Sequence, residues 1–378
     1  MNAVPIKPEI LRWALDRAGL DTADLASAFP KLAEWEQGVS SPTLNQLEKL
    51  AKRLWAPLGY FFLPSPPEEK LPIPDFRSIG DEPIQSPSPN LLETLFSMQR
   101  RQAWLKELRV EDGAEPLSFV GCASLRDKPE AVAAQMRNTL GMATDKRATT
   151  WGEAFRDLWI NAERAGTTVV CNGIVGHNTG RLLDVEEFRG FVLSDSIAPL
   201  IFINNADAKA AQMFTLAHEL AHLWINSGGV LNFREMRPAE NQTELFCNAV
   251  AAEFLVPKKQ LAAKWAQLDD FFGLASYFKV SPLVIARRLL DANYINKARF
   301  FSFYNAHIAR MRADKAPSKE HGGNFYANCD YRIGRPFADA VGRAVKAGRL
   351  LYRDAYRLTG LQGKTFDKYV FRAGFETG

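Results

Sequence analysis

The chain has 378 residues, 47% of them apolar and 24% charged, which excludes a disordered chain and allows two or three domains with buried cores. No apolar run approaches the roughly 18 residues of a membrane span, and "MNAVPIKPEILRW" lacks the basic-then-apolar pattern of a secretory leader, so a cytoplasmic protein with no membrane partner is expected. The net charge of +4 is uneven: from Lys297 onward 16 Lys and Arg face 7 Asp and Glu, giving +9 there and −5 before it, so any attraction to nucleic acid belongs to the C-terminal region.

In chain order, the first 63 residues read as short helices over Pro8–Ala18, Thr22–Phe29, Pro30–Gln37 and Thr43–Leu54, with a last turn through "LGYFFL". Gly19 and Gly38 stand where helix ends want glycine, and Pro8, Pro30 and Pro42 stand at starts. Residues 64–90 hold eight prolines in 27 positions, a composition that extends the backbone and forbids helix or central strand, and they are read as a linker. Asn90–Leu108, Pro129–Leu140 and Trp151–Ala165 have helical periodicity. The pattern then changes to strands at Thr167–Cys171, Phe188–Asp195 and Pro199–Asn204, rich in β-branched and aromatic residues. Beyond Pro257 the chain is helical again, with a helix-turn-helix layout over Leu274–Ile295 and a looser echo from Gly348. The expected class is α+β: a helical domain (1–63), the linker (64–90), a central domain (91–296) ending in a helix-turn-helix-like segment (270–296), and a basic helical domain (297–378). The four cysteines form no C-x-x-C pair and read as small buried apolar residues.

The chemistry lies in "FTLAHELAHLW". Residues four apart share one face of a helix, so His218 and His222 can aim two imidazoles at one ion while Glu219 reaches its open side. A catalytic zinc takes three protein ligands, and "NQTELFCNAVAAEFLVP" offers the third. That segment reads as a helix capped by Thr243 and stopped by Pro257. Its Glu244 and Asn248 fall on one face, which lets Asn248 orient a ligand if Glu244 binds the metal. Glu253 is the rival ligand, turned two and a half turns away. With Zn2+ bound, the expected chemistry is hydrolysis: the ion lowers the pKa of its water toward about 7, and Glu219 moves that water's proton to the leaving amine. The strand Phe188, Arg189, Gly190 and Phe191 is expected to add a substrate peptide along its edge. His177, Tyr277 and His307 are candidate oxyanion stabilisers.

These pieces resemble the ImmA/IrrE family of zinc metallopeptidases, with its gluzincin-like H-E-x-x-H and downstream Glu. The resemblance rests on "EFRGF", "APLIFIN", "FTLAHELAH" and "ELFCNAVAAEFLVP", and extends over roughly Trp151–Ile295. In the family the last segment looks like E-x-x-A-N-x-F-A-x-x-L-L-M-P, here with Cys247, Val250, Phe254 and Val256 substituted, and its ligand Glu falls on Glu244. The resemblance implies a zincin-like peptidase domain and, as substrate, a regulatory protein such as a repressor or an antitoxin-like partner.

The first 63 residues are similar to the XRE type of helix-turn-helix, through "ADLASAF", "WEQGVSSPT" and "LEKLAKRL". Such domains usually place about a dozen residues between the "LA" and the "WE"; here Ser27–Glu34 supplies eight. Residues 1–80 hold 9 basic and 10 acidic side chains, and the segment of the recognition helix carries Glu34 and Glu36. Phosphate contacts supply most non-specific DNA affinity, so a docking or homodimerising role is expected there in preference to DNA binding. The alternative function is a transcriptional regulator or antitoxin that binds DNA or a PIN-type toxin, with the zinc site structural or idle. A third reading is a nucleic-acid sensor whose basic C-terminus gates the protease.

Overall fold

The computed structural model describes residues 3–69, 87–142, 148–227, 229–231, 242–313 and 325–370. They fall into two units, residues 3–69 with 87–96 and residues 97–370. Most of the expected linker 64–90 lies outside the described residues, as do positions 314–324 and 371–378 of the C-terminal region.

The first unit is helical. Pro8 opens α1 (Pro8–Ala18), and Gly19 closes it in the left-handed region at φ 62°, a conformation glycine adopts without steric cost. Asp21 and Asp24 cap each other's backbone at the start of α2 (Thr22–Leu25). That helix is one turn long, where the sequence suggested two: the Phe29 amide donates to the Leu25 carbonyl and closes the chain into a turn. The turn brings the Phe29 ring edge-on to Trp35, with centroids 6.4 Å apart. Next come α3 (Leu32–Glu36) and α4 (Leu44–Arg53), the latter opened by a reciprocal cap between Thr43 and Gln46. Pro30 thus precedes α3 instead of starting it. A 3-10 turn at Leu58–Phe62 completes the series. Ile10, Leu11, Leu25, Leu32, Trp35 and Leu50 meet in its core. On α3 only Leu32 and Trp35 point inward, and Glu34 stands exposed, taking the Ser40 hydroxyl proton at 2.8 Å.

Helix α5 (Pro89–Glu111) gives its later turns to the second unit. After it come α6 (Pro129–Thr139) and α7 (Trp151–Arg164), which Thr150 and Glu153 cap reciprocally. The strands follow: β1 (Thr168–Asn172), β2 (Ile174–Val175), β3 (Asn178–Leu182), β4 (Gly190–Leu193) and β5 (Leu200–Asn204). Helix α8 (Lys209–Trp224) carries the H-E-x-x-H motif, and β6 (Gly229–Leu231) and α9 (Gln242–Leu255) come after it. The chain continues through α10 (Lys258–Leu268), α11 (Phe271–Phe278), α12 (Pro282–Asp291) and α13 (Lys297–Ala313). It ends in α14 (Phe325–Ile333), α15 (Arg335–Lys346), α16 (Tyr352–Thr359) and α17 (Gly363–Val370). None of the described helices is long and apolar enough to cross a membrane.

The sheet runs in the order β1-β5-β4-β6, with β1 parallel to β5 and the other pairs antiparallel. All five residues of β1 and of β5 are buried, as expected of strands covered on both faces. Helix α8 lies against β4 and β5. Gly190 makes that approach possible: a Cβ there would stand 2.7 Å from Thr215 Cγ2 and 2.9 Å from the Phe202 carbonyl. The small hairpin of β2 and β3, and strand β6, were not legible in the sequence.

The C-terminal helices belong to the same unit as the motif helix, so residue 296 does not divide two units. Tyr331 of α14 stacks on Trp159 of α7 at 4.6 Å. Arg101 of α5 reaches the Leu358 carbonyl from Nε and the Arg332 carbonyl from Nη1, both at 2.8 Å. Burial lowers the pKa of that guanidinium to about 10. The echo from Gly348 forms two short helices joined by a turn, α16 and α17. Arg335 pairs with Asp330 and Arg343 with Asp339, acids of the same segment, and Arg349 pairs with Asp112 of α5, which offsets one charge of the basic surplus.

Candidate metal centre

From Gln212 to Trp224 only Phe214 of α8 is not fully buried. A helix buried all round is normally apolar, and ionisable groups in it demand partners. His218 and His222 find theirs on α9, whose apolar residues Phe246, Cys247, Val250 and Phe254 lie in the same core cluster as the α8 apolar residues. That packing delivers Glu244, in the first turn of α9, to the two imidazoles.

His218 Nε2 lies 3.1 Å from Glu244 Oε2, and His222 Nε2 lies 3.2 Å from Glu244 Oε1. The two Nε2 atoms are 2.9 Å apart. Donors around a tetrahedral zinc, at bonds of about 2.0–2.1 Å, stand roughly 3.3 Å from one another, so this triangle has nearly the size a zinc ion requires. His218 Nδ1 donates to Asn248 Oδ1 at 3.0 Å, which leaves a lone pair on Nε2. An inward lone pair beside a carboxylate is a donor set that a cation relieves. Among the described residues, His218, His222 and Glu244 are the group of His, Cys, Asp and Glu close enough to share an ion.

The electrostatics agree with that role. Burial by itself would raise the Glu244 carboxyl, but the imidazoles of His218 and His222 outweigh it and hold the group well below the usual carboxylate range. Burial lowers the His218 imidazole, with Glu244 working in the opposite direction. Glu219 differs: burial first and the Glu244 charge second push its carboxyl well above the ordinary value. Neither Glu219 oxygen meets a hydrogen-bond partner among the described residues. A buried carboxyl without partners is costly, and it suits a group whose partners are a water and a substrate.

Glu253 is not a ligand. It pairs with Arg288 of α12, and its carboxylate accepts from the Lys258 amide, capping α10. Thr243 lies in the first turn of α9, which begins at Gln242.

The expected substrate strand is corrected. Gly190, Phe191 and Val192 of β4 pair with β5 on one side and with β6 on the other, so no edge is free there. Phe188 and Phe191 are fully buried, and Phe191 stacks on Phe202 at 5.1 Å. Arg189 turns to Asp207, 3.5 Å away. The segment is scaffold under α8, and the short, glycine-bearing β6 that covers it gave no strand signal of its own.

Each of the three oxyanion candidates has a partner elsewhere in the fold. His177 Nε2 donates to the Thr359 carbonyl at 3.0 Å, at the end of α16. Tyr277 lies edge-on to Phe278 beneath the Lys264 ammonium. His307 stacks on Phe303 at 5.6 Å. One further residue does reach the centre and was missed: the Ser227 hydroxyl, 2.7 Å from His222 Nδ1.

Residues 162–290 match the family model of the IrrE N-terminal-like domain, a peptidase family, and residues 333–372 match a domain of unknown function, DUF8813. The first match runs from the end of α7 through nearly all of α12 and contains the whole His-His-Glu cluster; the second contains α15 to α17. No curated protein matches the chain. The match and the cluster together give this segment a metallopeptidase-type function.

Proposed function

We propose that the chain is a cytoplasmic zinc-dependent endopeptidase that cuts a regulatory protein, a repressor or an antitoxin-like partner, and so changes transcription or frees a toxin. The observation that carries this reading is the convergence of His218, His222 and Glu244 beside a buried Glu219 whose oxygens meet no hydrogen-bond partner among the described residues. His218, His222 and Glu244 are the residues that would hold the ion. When bound, zinc supplies Lewis acidity to a water and to the scissile carbonyl.

The chain's own residues do the rest. Glu219, in its ionised form, takes a proton as the water oxygen bonds to the carbonyl carbon. It returns that proton to the amine nitrogen as the C–N bond breaks and its electron pair stays on nitrogen. Asn248 keeps the His218 ring turned inward. A substrate main chain would add at β6, which borders β4 and has no further strand beside it among the described residues. The N-terminal unit docks a protein: its short α3 shows Glu34 to solvent, a poor match for phosphate.

Glu219→Gln tests the reading. It should keep zinc and abolish cleavage of proteins encoded alongside this one, a loss of at least about 100-fold for a missing general base. Wild-type cleavage and phenotype in this variant would instead favour a regulator with an idle metal site.

A further inference from the structure

Helix α4 closes with the Trp55 amide donating to the Lys52 carbonyl and the Ala56 amide donating to the Ala51 carbonyl, a helix end whose left-handed position is normally glycine. Here that position is Trp55, at φ 53°, where a bulky side chain strains the backbone. The strain is not offset by full burial of the ring, since the residue stays 39% exposed. The conformation is pinned from outside: Arg17 Nη1 donates to the Trp55 carbonyl at 3.1 Å, and Arg17 Nη2 donates to Glu69 Oε1 at 2.9 Å. A strained position held by its surroundings, with an indole left partly in solvent, suits contact with a ligand better than core packing.

The ring borders a cavity of about 640 Å³ in the first unit, lined also by Glu48, Ala51 and Lys52 of α4, by Ala56, and by Glu93 of α5. An apolar pair commonly fills the corner at such a helix end. Here the pair is Ala51 and Ala56, both buried, which gives an apolar floor and leaves space above it. Around that floor stand two carboxylates, Glu48 and Glu93, and one ammonium, Lys52, a net charge of −1. Ligand cavities run to about 300–1,000 Å³, so this one has room for a few residues of peptide.

An indole face, an apolar floor and a negative rim together call for a cation with a flat face. Arginine is that group, because its guanidinium stacks on aromatic rings and its N–H fork matches carboxylates. The same unit already contains one such arrangement: Arg17 lies over the Trp13 ring at 5.6 Å while it pairs with Glu69. We propose that this cavity is the docking site of the N-terminal unit and takes an arginine, flanked by apolar residues, from the partner protein. The proposal deepens the docking role given to this unit above and rests on that reading.

The probe is the peptide acetyl-Leu-Arg-Leu-amide, titrated into the full chain with its eight tryptophans 15N-labelled. The Trp55 indole signal, identified by its loss in Trp55→Phe, should shift and saturate. The same peptide with citrulline for arginine keeps the shape without the charge and should bind at least about 10-fold more weakly. Trp55→Gly separates a contact role from a structural one. Glycine relieves the backbone, so the melting temperature should hold or rise, while affinity for a fluorescein-labelled arginine peptide falls about 10-fold or more by anisotropy. A tryptophan that only packs would give the reverse, a lower melting temperature with affinity intact. No shift at Trp55, equal binding of the arginine and citrulline peptides, or wild-type affinity in Trp55→Gly overturns the proposal, and the first two decide it on the wild type alone. Cleavage of a co-encoded protein without the Trp55 shift would strike this site only; the shift without any cleavage would strike the peptidase reading only.

Discussion

The two ends of α9 carry the same functional group to opposite ends. Glu244, in the first turn, faces two imidazoles; Glu253, nine residues on, faces the Arg288 guanidinium and the start of α10. One carboxylate belongs to a donor set that only a third party can satisfy. The other is satisfied within the chain. What distinguishes a ligand from a structural acid on this helix is the partner that packing sets opposite it.

The largest effect should come from unbalancing the satisfied end. Glu253→Ala takes the ion-pair partner from a largely buried Arg288, and losing one partner of a buried pair costs up to about 3–5 kcal/mol. Thermal unfolding should show that loss while zinc affinity stays at the wild-type value; a parallel fall in zinc affinity would erase the distinction between the two ends. Glu244→Ala should behave in reverse, lowering zinc affinity by more than the 10–100-fold typical of outer partners with a small change in melting temperature. Full zinc occupancy in that variant would move the third ligand elsewhere. Asn248→Ala should weaken zinc binding by roughly 10-fold, at the low end of that range, measured by competition with a chromophoric chelator.

A third carboxylate sharpens the contrast and carries the smallest effect. Glu163 on α7 is raised to about 8 by burial, with one oxygen lacking a hydrogen-bond partner. Its folded pKa lies above the ordinary value of 4.5, so the folded chain holds a proton that the unfolded chain releases. Stability from this site is therefore intact below about 4.5 and declines as pH rises toward about 8. Glu163→Gln should raise the melting temperature at pH 8 and above and leave it unchanged in acid; equal shifts at both ends would refute the linkage.

The centre was legible where its geometry follows helical period. His218, His222, Glu244 and Asn248 sit at four-residue spacings on two helices, and four-residue spacing is visible in a string of letters. Glu253 remained a rival because its partner Arg288 lies on another helix, and no local rule pairs them. His177 looked like an oxyanion candidate for the same reason, since the Thr359 carbonyl that takes its proton is 182 residues away. Strand β6 carries too few residues to alternate, so β4 looked like an edge until its neighbour was in place. Helices α2 and α3 are shorter than the expected Thr22–Phe29 and Pro30–Gln37, because the Phe29 amide bonds the Leu25 carbonyl and turns the chain before Pro30.

The Arg101 bridge has a practical consequence for dissection of this chain. Cut after residue 296, the peptidase portion would lose both carbonyls that satisfy a guanidinium only 4% exposed, and Trp159 would lose the Tyr331 ring that covers it. The distal helices thus act as a wall for the central portion, supplying partners to α5 and α7 that a cut at this point would take away.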